Sequence, residues 1–282
     1  MANVIAIGDS HQDISWVKKI LKQENNASGA DKIVMLGDWL DTKSDEVSGS
    51  QETANYMMQL DQEFGDKIVW HHSNHDLPYY YALEAARNHT NVKSNPFRCS
   101  ATSNSKAKNI SKIISDEFIK KQKLATLVDN VLYSHAGATP DLFNLIDDGE
   151  NKKVDLEGFL KEADDVALNF KTKSSHPFFR VGFSRGGSYG TGGLTWRDFP
   201  KEVVDDGYDH LPVQIFGHSA CNQPIRKGNN FCIDCRQSWY AIVTNGEFIE
   251  FKNLDDKSIF VNLNSYNLSP QLELLHEKKK SR

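Results

Sequence analysis

Apolar residues in the first third of the chain fall into two alternating rhythms. Val4 to Ile7 is a short unbroken apolar run that stops at Gly8-Asp9, the pattern of a buried strand meeting a turn. Ser10 to Asn25 follows, with Ile14, Val17, Ile20 and Leu21 on one helical stripe. Lys32 to Leu36 repeats the strand and stops at Gly37-Asp38. Two strand–turn–helix units in succession predict an α/β fold whose first strands pair in parallel.

The rhythm continues with a helix over Thr53 to Phe64, striped by Tyr56, Met57, Leu60 and Phe64, and a third strand over Lys67 to Trp70. That strand runs into His71-His72-Ser73-Asn74-His75-Asp76. Tyr79 to Asp129 reads as helix-rich, broken by a polar loop at Ser100 to Lys108. Val131 to Tyr133 is a fourth strand ending at Ser134-His135-Ala136-Gly137, and helices are expected over Asp141 to Asp148 and Asp155 to Phe170. From Lys171 to Asp209 glycines crowd between Gly182 and Gly193, marking a long loop region of the kind that carries function. The last third is β-rich: Val213 to Phe216, Phe231 to Asp234, Tyr240 to Thr244 and Glu247 to Phe251, with Asn245-Gly246 as a hairpin turn. Neither repeats nor a linker divide the pattern. A single domain over residues 1–270 is expected, with 271–282 a charged, flexible tail ending in Lys278-Lys279-Lys280-Ser281-Arg282.

Composition narrows the field. The 282 residues carry 33 Lys and Arg against 38 Asp and Glu, a net charge of −5, with 39% hydrophobic residues. Disorder, collagen and coiled coil are excluded for the chain as a whole, and the acidic balance argues against a nucleic-acid partner. No apolar run approaches the ~20 residues that span a bilayer, so no membrane association is expected. Met1-Ala2-Asn3 leads straight into the first strand with no cleavable apolar segment, and four cysteines are too few for a disulfide framework. A cytoplasmic location is the expectation.

Metal-competent side chains stand at the ends of five apolar runs: Asp9 and His11, Asp38 and Asp41, Asn74 and His75, His135, and His218. One Gly-Asp turn needs no explanation beyond capping the next helix. Five such ends in one chain point to the crevice at the carboxyl edge of an α/β sheet, where ligands collect. Oxygen and imidazole donors without thiolate suit Mn, Fe, Zn, Ni or Co. A shared carboxylate holds two such ions ~3.5–4 Å apart, the spacing used for in-line phosphoryl displacement.

Gly8-Asp9-Ser10-His11, Gly37-Asp38-Trp39-Leu40-Asp41, Ser73-Asn74-His75-Asp76, Ser134-His135-Ala136-Gly137 and Gly217-His218-Ser219 resemble, in order, the motifs of the calcineurin-like metallophosphoesterase superfamily. Tyr133 to Pro140, Ile215 to His218, and Ile233-Asp234 followed by Tyr240 are similar to the branch holding Ser/Thr protein phosphatases and symmetrical diadenosine tetraphosphatases. The resemblance implies a sandwich of two mixed β-sheets flanked by helices. It further implies that Asp9, His11 and Asp38 hold one divalent ion, and that Asp38, Asn74, His135 and His218 hold a second. Manganese leads among the candidate metals. A bridging hydroxide would attack the phosphate, His75 would protonate the leaving group, and Asp41 would orient His75.

Three positions depart from the family pattern. Thr42 stands where an Arg usually grips phosphate, and Ser73 and Asp13 stand where glycines are usual. Arg197, beside Trp196, is the first candidate to replace that grip and Arg185 the second, with Asn74 also facing the phosphate. The expected activity is hydrolysis of a phosphomonoester, either a Ser/Thr-type phosphoprotein or a small phosphoester. The alternative is a bis(5'-nucleosyl)-tetraphosphatase acting on a dinucleoside polyphosphate, and a non-catalytic scaffold ranks below both. Ala220, where nucleases of this superfamily often carry a second His, argues against a phosphodiesterase. Strand alternation sends His71 and His72 to opposite faces, so neither is expected to ligate. Cys232-Ile233-Asp234-Cys235 is read as ordinary strand thiols, and one ring of Tyr79-Tyr80-Tyr81 is expected at the cleft wall.

Overall fold

The apolar runs become the parallel heart of two sheets. The computed structural model describes residues 2–42, 47–90, 94–143, 145–147, 152–202, 211–255, 257–264 and 273–275. The strands are β1 (Asn3–Ile7), β2 (Lys32–Met35), β3 (Ile68–Trp70), β4 (Ala125–Val128), β5 (Val131–Ser134), β6 (Leu145–Asp147) and β7 (Lys152–Val154). They continue with β8 (Val213–Phe216), β9 (Ile225–Lys227), β10 (Asn230–Cys232), β11 (Trp239–Thr244), β12 (Phe248–Asn253), β13 (Ser258–Asn262) and β14 (Glu273–Leu274). The helices are α1 (Ile14–Gln23), α2 (Val47–Phe64), α3 (Leu77–Arg87), α4 (Asn104–Ile110), α5 (Asp116–Lys120) and α6 (Leu156–Leu168).

Among the described residues two six-stranded sheets form, in the orders β13-β12-β11-β1-β2-β3 and β14-β9-β10-β8-β5-β4. Both are mixed. β1, β2 and β3 run parallel while β11 to β13 join antiparallel. β5, β8 and β10 run parallel, with β4 and β9 antiparallel at their flanks.

Side chains alternate along these strands, so each strand serves two cores. Val4, Ala6, Val34 and Leu36 from the first sheet pack with Val131, Tyr133, Ile215, Phe231 and Ile233 from the second, filling the space between the sheets. Ile5, Ile7, Ile33 and Met35 turn the other way, into one cluster with Trp16, Val17, Ile20 and Leu21 of α1 and Ala54, Met57 and Leu60 of α2. The expected sandwich of two mixed sheets with helices outside is therefore the observed architecture.

Several local expectations change. The stretch expected as a helix from Asp141 is a 3₁₀ turn over Pro140–Leu142, followed by strand β6 paired with β7. The polar loop expected at Ser100 to Lys108 contains helix α4, whose N-terminus is capped by the Ser103 hydroxyl accepting from the Lys106 amide. Within the segment expected as a tail, β14 pairs with β9. The basic terminus beyond Leu275 lies outside the described residues, as do residues 203–210 of the glycine-rich loop.

Candidate metal centre and active site

Each strand end delivers its side chain through a tight turn. Gly37 sits at φ +112, and a Cβ there would lie 2.5 Å from the Ser73 Cβ and 3.0 Å from the His135 Nδ1, so only glycine fits. Asp38, His11 and His218 occupy the left-handed region themselves, at φ 54, 42 and 66. Non-glycine residues persist there only where their surroundings over-determine them, and such strain gathers at functional sites. The turns are locked to one another: the His11 amide donates to Asp38 O at 2.8 Å and the Gly217 amide to His135 O at 2.7 Å. The His218 amide donates to both Asp9 carboxylate oxygens, at 3.1 and 3.0 Å.

These turns bring the ligand candidates into two groups that share one carboxylate. Asp9, His11 and Asp38 place donor atoms within 4.8 Å of one another, and so do Asp38, His135 and His218. Asn74 joins the second group, its Oδ1 lying 2.8 Å from His135 Nε2 and 3.0 Å from His218 Nδ1. His135 Nδ1 donates to Leu36 O at 2.8 Å, which assigns its proton to Nδ1 and leaves a lone pair on Nε2. That lone pair faces the Asn74 oxygen at 2.8 Å and the Asp38 carboxylate at 3.4 Å. Acceptors this close repel unless a cation lies between them. His11 repeats the device: Nδ1 donates to Asp41 O at 2.9 Å, leaving Nε2 3.8 Å from Asp38 Oδ2. An imidazole oriented through a backbone carbonyl on its far nitrogen is the usual habit of a metal-ligating histidine. The donor set fits two borderline divalent cations.

The electrostatics agree. Burial would raise the Asp38 carboxyl, but the imidazoles of His135, His75, His11 and His218 outweigh it and hold Asp38 well below the usual carboxylate range. Burial, with Asp234 and Asp38 nearby, pushes Asp9 well above that range. A buried acid beside two other carboxylates needs a counter-cation to ionise. Burial keeps His135 and His218 depressed, and so neutral and able to ligate.

Beside the shared carboxylate lies a second arrangement. The His75 amide donates to Asp38 Oδ1 at 3.2 Å, and its ring stands 5.4 Å from that of His11. His75 Nδ1 is 3.8 Å from Asp41 Oδ2 and 3.6 Å from the Cys99 thiol. Burial works against a charged imidazole here, yet Asp38, Asp41 and Cys99 together push His75 up to about 12. Asp41 is fully buried, with Lys106 Nζ 2.7 Å from Oδ1 and the Tyr79 hydroxyl donating to Oδ2 at 2.8 Å.

A family model for calcineurin-like phosphoesterases matches residues 2–222. The chain belongs to that family. Hydrolysis of phosphoesters on divalent metals is accordingly the class of activity of this calcineurin-like phosphoesterase. Its fold is similar to that of a cold-active protein-tyrosine phosphatase from a psychrophilic Shewanella species, at 14% identity and TM-score 0.56, covering 92% of this chain and 80% of that one. A point mutant of a cold-active protein-tyrosine phosphatase superposes similarly, with TM-score 0.58 at 14% identity and the same coverage. A diadenosine tetraphosphatase structure, described as putative, aligns at 16% identity and TM-score 0.46, over 89% of this chain and 93% of that one. No curated protein matches the chain significantly.

The two arginines of this phosphoesterase part company. Arg197 is fully buried, its guanidinium donating to Ala138 O at 3.0 Å and Asn230 Oδ1 at 3.2 Å over the rings of Phe199 and Phe216. In that position it ties the second sheet to the loop after His135, and solvent does not reach it. The expectation of Arg197 as first choice for a phosphate grip is therefore corrected. Arg185 is partly exposed, reaches His218 O at 3.4 Å and pairs with Asp198 at 3.2 Å, at the edge of the metal cluster.

Several contributors gave no readable signal. Lys106 sits in the first turn of α4, within a stretch that reads as a polar loop, where lysines are ordinarily solvated. Asp76 accepts from the Trp39 and Leu40 amides at 3.1 and 2.8 Å and so fixes the turn that carries Asp38 and Asp41. The motif Ser73-Asn74-His75-Asp76 contains it, but nothing in that motif shows that its carboxylate turns back to the Asp38 turn. Gln237 donates to Asp9 O at 2.7 Å from far along the chain, a contact that no local pattern reveals.

Proposed function

We propose that this chain is a phosphomonoesterase carrying two divalent ions, with manganese the leading candidate. Asp9, His11 and Asp38 hold one ion; Asp38, Asn74, His135 and His218 hold the other. When bound, such a pair neutralises charge on the phosphate oxygens and makes water acidic enough to attack at neutral pH. His75 would give a proton to the leaving oxygen as the ester bond breaks. Because its Nδ1 faces Asp41 and Cys99, Nε2 is the atom that carries this proton toward the cleft. Arg185 offers a guanidinium fork to the phosphate from the His218 side.

One observation carries the reading. A single carboxylate, Asp38, serves both ligand groups and also accepts from the His75 amide, so both metals and the proton donor are registered on one residue.

A phosphoprotein or small phosphomonoester is the substrate class. Asp41 beside His75 keeps the acid-orienting position that favours a monoester, and the protein-tyrosine phosphatases that share the fold support a phosphoprotein. The net charge of −5 argues against nucleic acid. Among the described residues no helix is long and apolar enough to cross a membrane. Four free cysteines fit a reducing cytoplasmic setting. The catalytic unit is read as one domain over residues 1–270.

The test is the rate of p-nitrophenyl phosphate hydrolysis by metal-stripped protein titrated with Mn²⁺. Activity should appear only as metal is added. Turnover of diadenosine tetraphosphate with none of the aryl phosphate would replace the monoesterase reading with the tetraphosphatase one.

A further inference from the structure

Asp41 is held on both of its oxygens by groups that lie outside the motifs quoted above. Lys106 of α4 is fully buried, and its Nζ donates to Asp41 Oδ1 at 2.7 Å and to Thr42 O at 3.4 Å. Tyr79 of α3 donates its hydroxyl to Asp41 Oδ2 at 2.8 Å, the oxygen that faces His75 Nδ1. A lysine buried without any exposure is rare, and removing it from a buried carboxylate leaves an uncompensated charge. Such a pair does little for net stability compared with apolar packing of the same volume. Something other than stability accounts for an ammonium brought to this place.

We propose that Lys106, with Tyr79, is a positioning residue for proton transfer: together they fix the Asp41 carboxylate, which in turn sets the orientation of the His75 imidazole. The inference deepens the phosphomonoesterase reading and rests on its assignment of His75 as proton donor.

The geometry gives each group a distinct task. A carboxylate presents two oxygens that rotate about one bond. Lys106 claims Oδ1 and the Tyr79 hydroxyl claims Oδ2, so the plane of the carboxylate is set before His75 meets it. Burial, and then the neighbouring Asp41 carboxylate, push the Tyr79 phenol upward, so it remains a donor. The Lys106 ammonium lies against the Asp41 carboxylate where solvent reaches neither. Neither residue reaches substrate: Lys106 and Tyr79 are both buried. The lysine therefore does not stand in for the arginine absent at Thr42; it acts through Asp41.

Proton donation matters most when the leaving group is poor, which separates positioning from a structural role. The experiment measures kcat on p-nitrophenyl phosphate and on an alkyl phosphate for wild type, Lys106→Met, Tyr79→Phe and His75→Asn, with bound Mn²⁺ quantified for each. Lys106→Met should lose roughly 10- to 100-fold on the alkyl phosphate and only a few-fold on the aryl phosphate, with metal content unchanged. Tyr79→Phe, which removes one oxygen and keeps the ring, should show the same bias more weakly, and it carries the test if Lys106→Met does not fold. Equal losses on both substrates, or none on either, would overturn the inference. His75→Asn separates the two levels. If it shows the alkyl-specific loss while Lys106→Met and Tyr79→Phe do not, positioning fails alone. If it shows no such bias, the proton-donor reading fails and the inference falls with it.

Discussion

The site depends on residues of one type meeting opposite surroundings. Asp38 and Asp9 are both buried carboxylates, yet imidazoles hold the first low while burial, reinforced by neighbouring carboxylates, pushes the second high. The candidate ligands were legible in the sequence because each follows an apolar run that fixes where its strand ends. The pattern marked Asp9, Asp38, Asn74, His135 and His218 as strand ends; that they gather at one centre was what the family resemblance implied. The arginines were not legible, because a loop arginine carries no periodicity; whether it meets solvent or the second sheet is decided by packing. That difference makes a residue-scale prediction. Arg185→Ala should raise KM for a phosphomonoester about 10- to 100-fold, the loss of one charge-assisted hydrogen bond, with little change in melting temperature. Arg197→Met should chiefly lower the melting temperature. The reverse pattern, measured by steady-state kinetics and thermal denaturation, would return the phosphate grip to Arg197.

At the scale of elements, strands with long-range parallel partners were readable and short antiparallel ones were not. β1, β2, β3, β5 and β8 announce themselves as apolar runs closed by turns. β4, β6 and β9 are short, half-polar or charged, and their pairing decides their state. Helix α4 hides in a polar stretch because its apolar face is only Ala107 and Ile110, with the buried Lys106 beside them. The extension of β3 shows what burial does to titration. His71 bonds to Met35 O at 3.1 Å and His72 to Ala167 O at 3.3 Å, the second wedged near Tyr80 and Phe170. Burial lowers them to about 4 and about 3. Both are neutral when folded, whereas the unfolded chain takes up protons below about 6.5. Between about pH 6.5 and those lowered values the unfolded state binds more protons, so this contribution to stability is present near neutrality and lost as pH falls. For His72 alone the loss between neutrality and about pH 5 is about 2 kcal/mol. Chemical denaturation at the two pH values should show that His72→Phe loses less stability on acidification than wild type by about that amount. Equal losses would mean that His72 is already charged in the folded protein.

For the whole molecule, the two sheets each supply part of the centre. Asp9, Asp38 and Asn74 follow strands of the first sheet, while His135 and His218 follow strands of the second. The apolar layer of Val4, Ala6, Val34, Tyr133, Ile215 and Ile233 between the sheets thus sets the distance between the two halves of the metal cluster. Sequence patterns show which residues end strands. They do not show that two sheets stack with those ends aligned; the family resemblance supplied that expectation and the observed sandwich bears it out. The central claim is that Asp38 is shared by two ions. The most direct measurement is the number of Mn²⁺ ions bound per chain, by elemental analysis after equilibration and desalting, for wild type and Asp38→Asn. Two per wild-type chain, with loss of the pair and of p-nitrophenyl phosphate hydrolysis together in Asp38→Asn, is the predicted result. An Asp38→Asn protein that keeps both ions and full activity would contradict it.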